Sequence, residues 1–260
     1  MERAGRTIHS SINTARQFAA NYPPFRILAG APSEDIGGVE SYLSAKIAEH
    51  LPEDAERILD VGGGQTIETY TSNIAEEFDE VSVFCSDIQD VANQDDINYL
   101  QSDACNLPYE DGTFDLVYSK SFFSHVWDQS KALDEQIRVL KPGGVLIIID
   151  ESLTNPDRLF DWLVLWPIRT SFERGGPSWL LNKNEVKVNE SGRKYKDEDH
   201  HTAFYWANTL GERSDFELNC ITSPYIESWP PIHSIAKSNE FLRKLMVSYS
   251  IRTVAVGSKL

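Results

Sequence analysis

Long apolar runs are missing from this chain of 260 residues. No window approaches about 18 consecutive apolar side chains, so nothing in the sequence reads as a membrane-spanning helix. Cysteine is scarce. Cys85, Cys105 and Cys220 are three scattered thiols. They are too few for a disulfide framework and fit a reducing, cytoplasmic setting. Basic side chains are also in short supply, 24 against 40 acidic ones for a net charge of -16. A field of that sign repels phosphate backbones and argues against nucleic acid as a substrate. Near Met1 there is no apolar stretch of the roughly 7 to 15 residues that a secretory signal needs. Arg3, Arg6 and Arg16 with Glu2 as the single acid faintly suggest a transit peptide, but a plainer reading is a helix with Ile8, Ile12 and Phe18 near one face.

What is present describes a globular protein. The chain is 41% apolar and 25% charged, long enough to bury a core as one large domain or two small ones. The acidity is local, since residues 1–150 hold 26 acidic and 10 basic side chains and 151–260 hold 14 of each. From Arg57 onward, short apolar runs alternate with helical stretches, the pattern of a parallel sheet with crossover helices. RILDV (57–61), VSVFCSD (81–87), INYLQSD (97–103), FDLVYS (114–119) and VLIIID (145–150) read as five strands. A helix over Lys131 to Leu140 is broken by Lys141-Pro142-Gly143-Gly144. Beyond Asp150 the register is lost for about fifty residues rich in aromatics, Pro and Gly. It returns with a helix near His201–Leu210, strands near Phe216–Ile221 and Ile251–Gly257, and between them a helix near Asn239–Ser248.

The chemistry concentrates where the first strand ends. Asp60-Val61-Gly62-Gly63-Gly64 turns a strand into a helix, the place where open parallel sheets bind nucleotides. It is no phosphate loop, because no Gly-Lys-Ser/Thr comes after it, and Ile67 stands where a dinucleotide fingerprint would carry its third glycine. Asp87 ends the second strand 25 residues after Gly62, where a carboxylate can accept ribose hydroxyls, and Asp103 ends the third. Either acid alone reads equally well as a helix cap or solvated loop. Two acids and a glycine turn at neighbouring strand ends together favour an adenosine-type ligand.

The segments ILDVGGGQT (58–66), VFCSDI (83–88), SDACNLPYEDGTFDLVYS (102–119) and ALDEQIRVLKPGGVLIIID (132–150) carry a further pattern. In order and spacing they resemble the class I S-adenosylmethionine-dependent methyltransferases, in the small-molecule branch that includes the ubiquinone/menaquinone-pathway enzymes. The resemblance implies an α/β, Rossmann-like, seven-stranded and mostly parallel sheet with an antiparallel last strand near RTVAVGS (252–258) and helices on both faces. It implies one domain over 1–260: a helical extension (1–50), a cofactor-binding core (51–150) and acceptor-side insertions (151–200 and 222–247), with the extension and insertions forming a lid. Asp60, Gly62, Gly63 and Gly64 would line the methionine part of S-adenosyl-L-methionine. Asp87 would hold the ribose, Ile88 would pack on adenine, Asp103 and Ala104 would read its edge, and Ser119 and Lys120 would lie near the sulfonium. The chain departs from the family pattern at Thr66, where glycine is commoner, and at Gly63.

Methyl transfer from a sulfonium needs alignment and exclusion of water more than catalytic groups. His125, just beyond the fourth strand, is the candidate base or acceptor-orienting group. The competing reading packs it between Phe123 and Trp127 with both nitrogens satisfied. Five of the six Trp lie after Asp150, and such aromatics suit an apolar or aromatic small molecule. Tyr22, Phe25, Phe123, Trp162, Trp166 and Trp179 are the candidate acceptor contacts, against the alternative that the insertions pack as a private core. Asp197-Glu198-Asp199-His200-His201 is better explained as an acidic helix start than as a metal site. The expected partner is one small acceptor, O-methylated, on a monomer or homodimer. Two readings keep the cofactor pocket without methylation: a different reaction at the sulfonium, and an inactive cofactor-binding partner protein. A nicotinamide dehydrogenase is disfavoured by Ile67.

Overall fold

Apolar and β-branched side chains set the strands. The structure, a computed structural model, describes residues 38–91, 96–151, 186–188, 192–196, 201–224, 238–248 and 252–260. β1 (Arg57–Val61), β2 (Ser82–Asp87), β3 (Asn98–Gln101), β4 (Phe114–Lys120) and β5 (Leu140–Glu151) pair in parallel. Lys187–Val188 (β6) and Lys194–Tyr195 (β7) form a separate two-stranded ladder. β8 (Phe216–Thr222) and β9 (Arg252–Lys259) complete the sheet in the order β3-β2-β1-β4-β5-β9-β8, with β9 antiparallel to both neighbours. The expected sheet is therefore present. Ile147, Ile148 and Ile149 are all buried, as a parallel strand covered on both faces requires.

Two helical layers do the covering. α1 (Gly38–His50) precedes β1, and between strands lie α2 (Ser72–Glu77), α3 (Gln129–Val139), α4 (Ala203–Gly211) and α5 (Glu240–Ser248). On one face Leu59, Val117, Ile148 and Ala255 meet Leu133, Trp206 and Val247 from α3, α4 and α5. On the other, Ile58, Leu116, Ile147 and Val256 meet Leu43, Ile47 and Ile74 from α1 and α2. Among the described residues no helix is long and apolar enough to cross a membrane.

Local chemistry fixes the boundaries. The Asp128 carboxylate accepts from the Lys131 N–H at 3.1 Å and starts α3 two residues ahead of the sequence reading. The strand at the end of α3 also begins early, at Leu140 rather than Val145. Phe114 pairs with Leu140 but Leu116 with Val145, so Lys141–Gly144 bulge out of β5 instead of separating helix from strand. The bulge is pinned. Lys141 Nζ lies 2.7 Å from Asp115, whose other oxygen accepts from the N–H groups of Glu56 and Arg57 at 3.0 and 2.9 Å. Burial pushes the Asp115 carboxyl up, but those donors outweigh it and hold the group below the ordinary carboxylate range.

The remaining sequence expectations fall elsewhere. The helix carrying Ile8, Ile12 and Phe18, the contacts Tyr22, Phe25, Trp162, Trp166 and Trp179, and residues 197–200 lie outside the described residues.

Candidate active site

The strand order reverses between β1 and β4, and the turns at their carboxyl ends bring the glycine turn and the rim acids together. β1 hands over at Gly62, whose φ of +87° is left-handed and whose N–H is held by the Ser86 carbonyl at 2.7 Å. A Cβ there would stand 2.2 Å from the Phe122 ring. The absent side chains of this turn are used by the protein itself: Phe122 lies on Gly62, the Asp60 carboxylate on Gly63 and that of Asp87 on Gly64. The backbone beyond the turn is less regular than a helix start. A 3-10 turn (Gly64–Thr66) and a π turn (Ile67–Thr71) precede α2.

Asp60 is 2% exposed and turned inward. Its Oδ2 accepts from the hydroxyls of Thr71 at 2.7 Å and Tyr118 at 3.0 Å. Tyr118 reaches it because the two residues are register partners on β1 and β4. Burial pushes the Asp60 carboxyl up to about 6, against the pull of those two hydroxyls. Asp87 stands at the neighbouring strand end, with Oδ2 accepting from Gly64 N–H at 2.9 Å and Oδ1 from Gln89 N–H at 2.8 Å. The sequence-derived group Asp60, Gly62, Gly63, Gly64 and Asp87 thus meets in one place.

A second group lies along the same rim. Asp103 accepts from Cys105 N–H at 2.9 Å and from the Trp127 indole at 3.2 Å. Ala104 beside it is buried. Half-buried Ile88 presents its carbonyl to Gln101 Nε2 at 3.1 Å and to Arg193 Nη1 at 2.5 Å. Residues 192–196 therefore strap this end: Lys194 Nζ sits 4.8 Å from the Trp127 ring centroid and Lys196 N–H donates to the His125 carbonyl at 2.8 Å. At the end of β4, Ser119 is buried and Lys120 Nζ lies 3.6 Å from the centre of the Tyr70 ring. Ser121 has a left-handed φ of 50°, and its hydroxyl accepts from Arg252 at 2.7 Å.

His125 ends the 3-10 turn Phe123–His125 and is exposed. The packed alternative for this histidine is overturned, because a solvent-facing ring cannot be wedged between Phe123 and Trp127. Phe123 is also corrected. Its ring packs edge-on to Trp206 at 4.9 Å inside the apolar cluster under α3 and α4, so it belongs to the core and not to a pocket wall. His201, at the end of the acidic run, is taken up by Gln129 at 2.5 Å and stacks on Tyr205 at 3.7 Å. Among the described residues no group of three or more His, Cys, Asp or Glu could hold a metal ion.

Sequence reasoning missed Tyr118, Thr71, Phe122 and Arg193. Tyr118 was within reach, since Asp60 and Tyr118 occupy matching places on neighbouring strands. Arg193 was not, because its contact spans 105 residues from a segment without periodic pattern.

The doubly wound sheet with its reversal point, glycine turn and paired rim acids resembles the core of the class I S-adenosylmethionine-dependent methyltransferases. The methyltransferase domain family matches residues 59–148. A demethylmenaquinone methyltransferase of Clavibacter sepedonicus is 34% identical over 126 residues, 45% of this chain and 50% of that protein. An O-methyltransferase of Pyrenophora dematioidea is 24% identical over 173 residues, 61% of this chain and 65% of that protein. A SAM-dependent methyltransferase from Methanosarcina mazei shares the fold, with a TM-score of 0.51 at 20% identity, covering 83% of this chain and 97% of that one. The chain spans about half the length of the first of these curated relatives.

Proposed function

We propose that this chain transfers a methyl group from S-adenosylmethionine to a hydroxyl oxygen of a small apolar or aromatic acceptor. The observation that carries the reading is the meeting of the glycine turn with Asp87 at 2.9 Å on the sheet's carboxyl rim, with His125 exposed on the turn after β4 of that rim. Each Asp87 oxygen takes one backbone N–H and keeps a lone pair for a ribose hydroxyl. Ile88 and Ala104 offer apolar contact to adenine, and Asp103 remains an acceptor for its amino group. Asp60 acts from beneath the turn, its carboxylate facing Thr71 and Tyr118. The cofactor supplies an activated methyl, and the chain's part is to orient the acceptor and exclude water. His125 is the group in reach of solvent and acceptor that can take a hydroxyl proton. Tyr22, Phe25, Trp162, Trp166 and Trp179 complete the acceptor side in this reading.

The test is calorimetric titration with S-adenosylhomocysteine, then incubation with methyl-labelled cofactor and a panel of phenols and quinols, with products read by mass spectrometry. Binding lost in Asp87→Asn, and product lost about 100-fold or more in His125→Gln with cofactor affinity kept, are the expected results. Failure to bind S-adenosylhomocysteine overturns the proposal. Carbon methylation is the second reading, favoured by the demethylmenaquinone relative. It predicts a ring-methylated product that resists ether cleavage.

A further inference from the structure

Along the face covered by α3, α4 and α5, the strands are apolar until their last layer. On β5 the series Leu146, Ile148 ends in Asp150; on β9 Ala255 gives way to Thr253; on β8 Ile221 gives way to Ser223 just past the strand. These form a row. Asp150 and Thr253 are register partners, and Ser223 comes directly after Thr222, the partner of Val254. Ser119 on β4 lies one layer deeper, opposite Ile148 and after Val117. Asp150, Thr253 and Ser119 are each 1% exposed and Ser223 is 0% exposed. The Asp150 carboxylate gives one oxygen to Glu151 N–H at 3.0 Å.

Polar side chains buried this deeply are normally hydrogen-bonded. The hydroxyls of Ser119 and Thr253 have no partner among the described residues, and neither does the indole N–H of Trp206 on the same face. Packing does not explain them. Val would fill the space of Thr253 and Ala that of Ser119 without burying a hydroxyl, and every layer below is filled that way. An unused buried hydroxyl weakens a fold, and such costs gather at functional sites. The row also continues the site already described, since Ser119 closes β4 beside Lys120 and the glycine turn.

The geometry points to a polar subsite for a hydrogen-bond-donating group of the acceptor, formed by Ser119, Asp150 and Thr253 at the carboxyl rim of β4, β5 and β9. It rests on the methyl-transfer reading and names the side chains that would recognise the acceptor's hydroxyl. Two hydroxyls and a carboxylate offer acceptor lone pairs to a hydroxyl hydrogen, and the carboxylate, which only accepts, repels an ether oxygen in the same place. Asp150 and Thr253 are positioning residues here.

The test uses the full chain saturated with S-adenosylhomocysteine and fluorine NMR titrations of 4-fluorophenol and 4-fluoroanisole, which differ by the hydroxyl hydrogen. The wild type should bind the phenol about tenfold more tightly than the anisole; Asp150→Asn should remove that preference and Thr253→Val should weaken it. Thr253→Val should also melt at or above the wild-type temperature, because it removes a hydroxyl without a partner. Equal binding of the two probes, no binding of either, or a preference unchanged in Thr253→Val overturns the subsite. A fall of several degrees in the melting point of Thr253→Val does the same, by showing that the hydroxyl is structural. Saturation with S-adenosylhomocysteine is measured first, so its failure marks the methyl-transfer reading and not the subsite as wrong.

Discussion

Replacing Asp60 by Asn should change the way stability depends on pH. In the folded chain burial lifts this carboxyl from 3.8 to about 6. Between those values the native state holds a proton that the unfolded chain has released, so the wild type loses stability as pH rises from about 4 to about 6. A shift of about two units corresponds to about 3 kcal/mol. The native state therefore carries about 3 kcal/mol of ionisation cost above pH 7 that is absent at pH 4. The asparagine variant has no such titration. Its constant offset, set by how well the Thr71 and Tyr118 hydroxyls turn to accept from an amide, is the same at every pH. Urea unfolding of both proteins from pH 4 to pH 8 gives the difference in stability at each point, and other carboxylates cancel. The difference should move by about 3 kcal/mol in favour of Asp60→Asn across that range and be level beyond it. A difference that stays flat within about 1 kcal/mol would refute the assignment of a buried, raised carboxyl at this position.

Three further outcomes are expected. Tyr118→Phe removes one of the two hydroxyls that favour the Asp60 carboxylate, so the loss of stability with rising pH should extend to a higher pH than in the wild type, as tracked by the same unfolding curves. Gly62→Ala must place a Cβ 2.2 Å from the Phe122 ring at a φ of +87°. It should cost about 2 to 5 kcal/mol in thermal unfolding, partly recovered in the double variant with Phe122→Ala. Arg193→Ala frees residues 192–196 from the Ile88 carbonyl. It should raise the dissociation rate of S-adenosylhomocysteine in stopped-flow measurements while the melting temperature of the cofactor-free protein changes by less than about 3 °C, whereas an unchanged rate would show that the strap does not bear on the cofactor.

The central sheet was legible because its parallel strands β1, β2, β4 and β5 are apolar runs bounded by a turn residue, and because burial on both faces leaves a continuous pattern such as Val145–Ile149. The bulge at Lys141–Gly144 was not, since a proline and two glycines break a helix and kink a strand with equal ease. Pairing across from Asp115 decides between the two, and pairing is not local. The rim acids were legible as positions but not as partners. Asp87 spends its oxygens on the backbone of the glycine turn, and Asp60 faces hydroxyls from two other elements. His125 and Phe123, two residues apart, show the limit most plainly. Both lie in one short apolar segment, and a single 3-10 turn sends one ring to solvent and the other into the core against Trp206. Parity along a strand foretells such a division, but the irregular turn after β4 has no parity to read.

The placement of β9 bears on how the chain is made. It lies between β5 and β8, so Leu146 meets Gly257 and Leu218 meets that same glycine from the other side. Until residues 252–259 are synthesised, β5 and β8 have no neighbour between them and each presents an open row of backbone donors and acceptors. Five parallel strands can assemble as the ribosome delivers them, yet the sheet stays in two pieces until this late segment slots in. The pairing spans more than a hundred residues, which makes closure slow and leaves the nascent protein dependent on protection of those two edges.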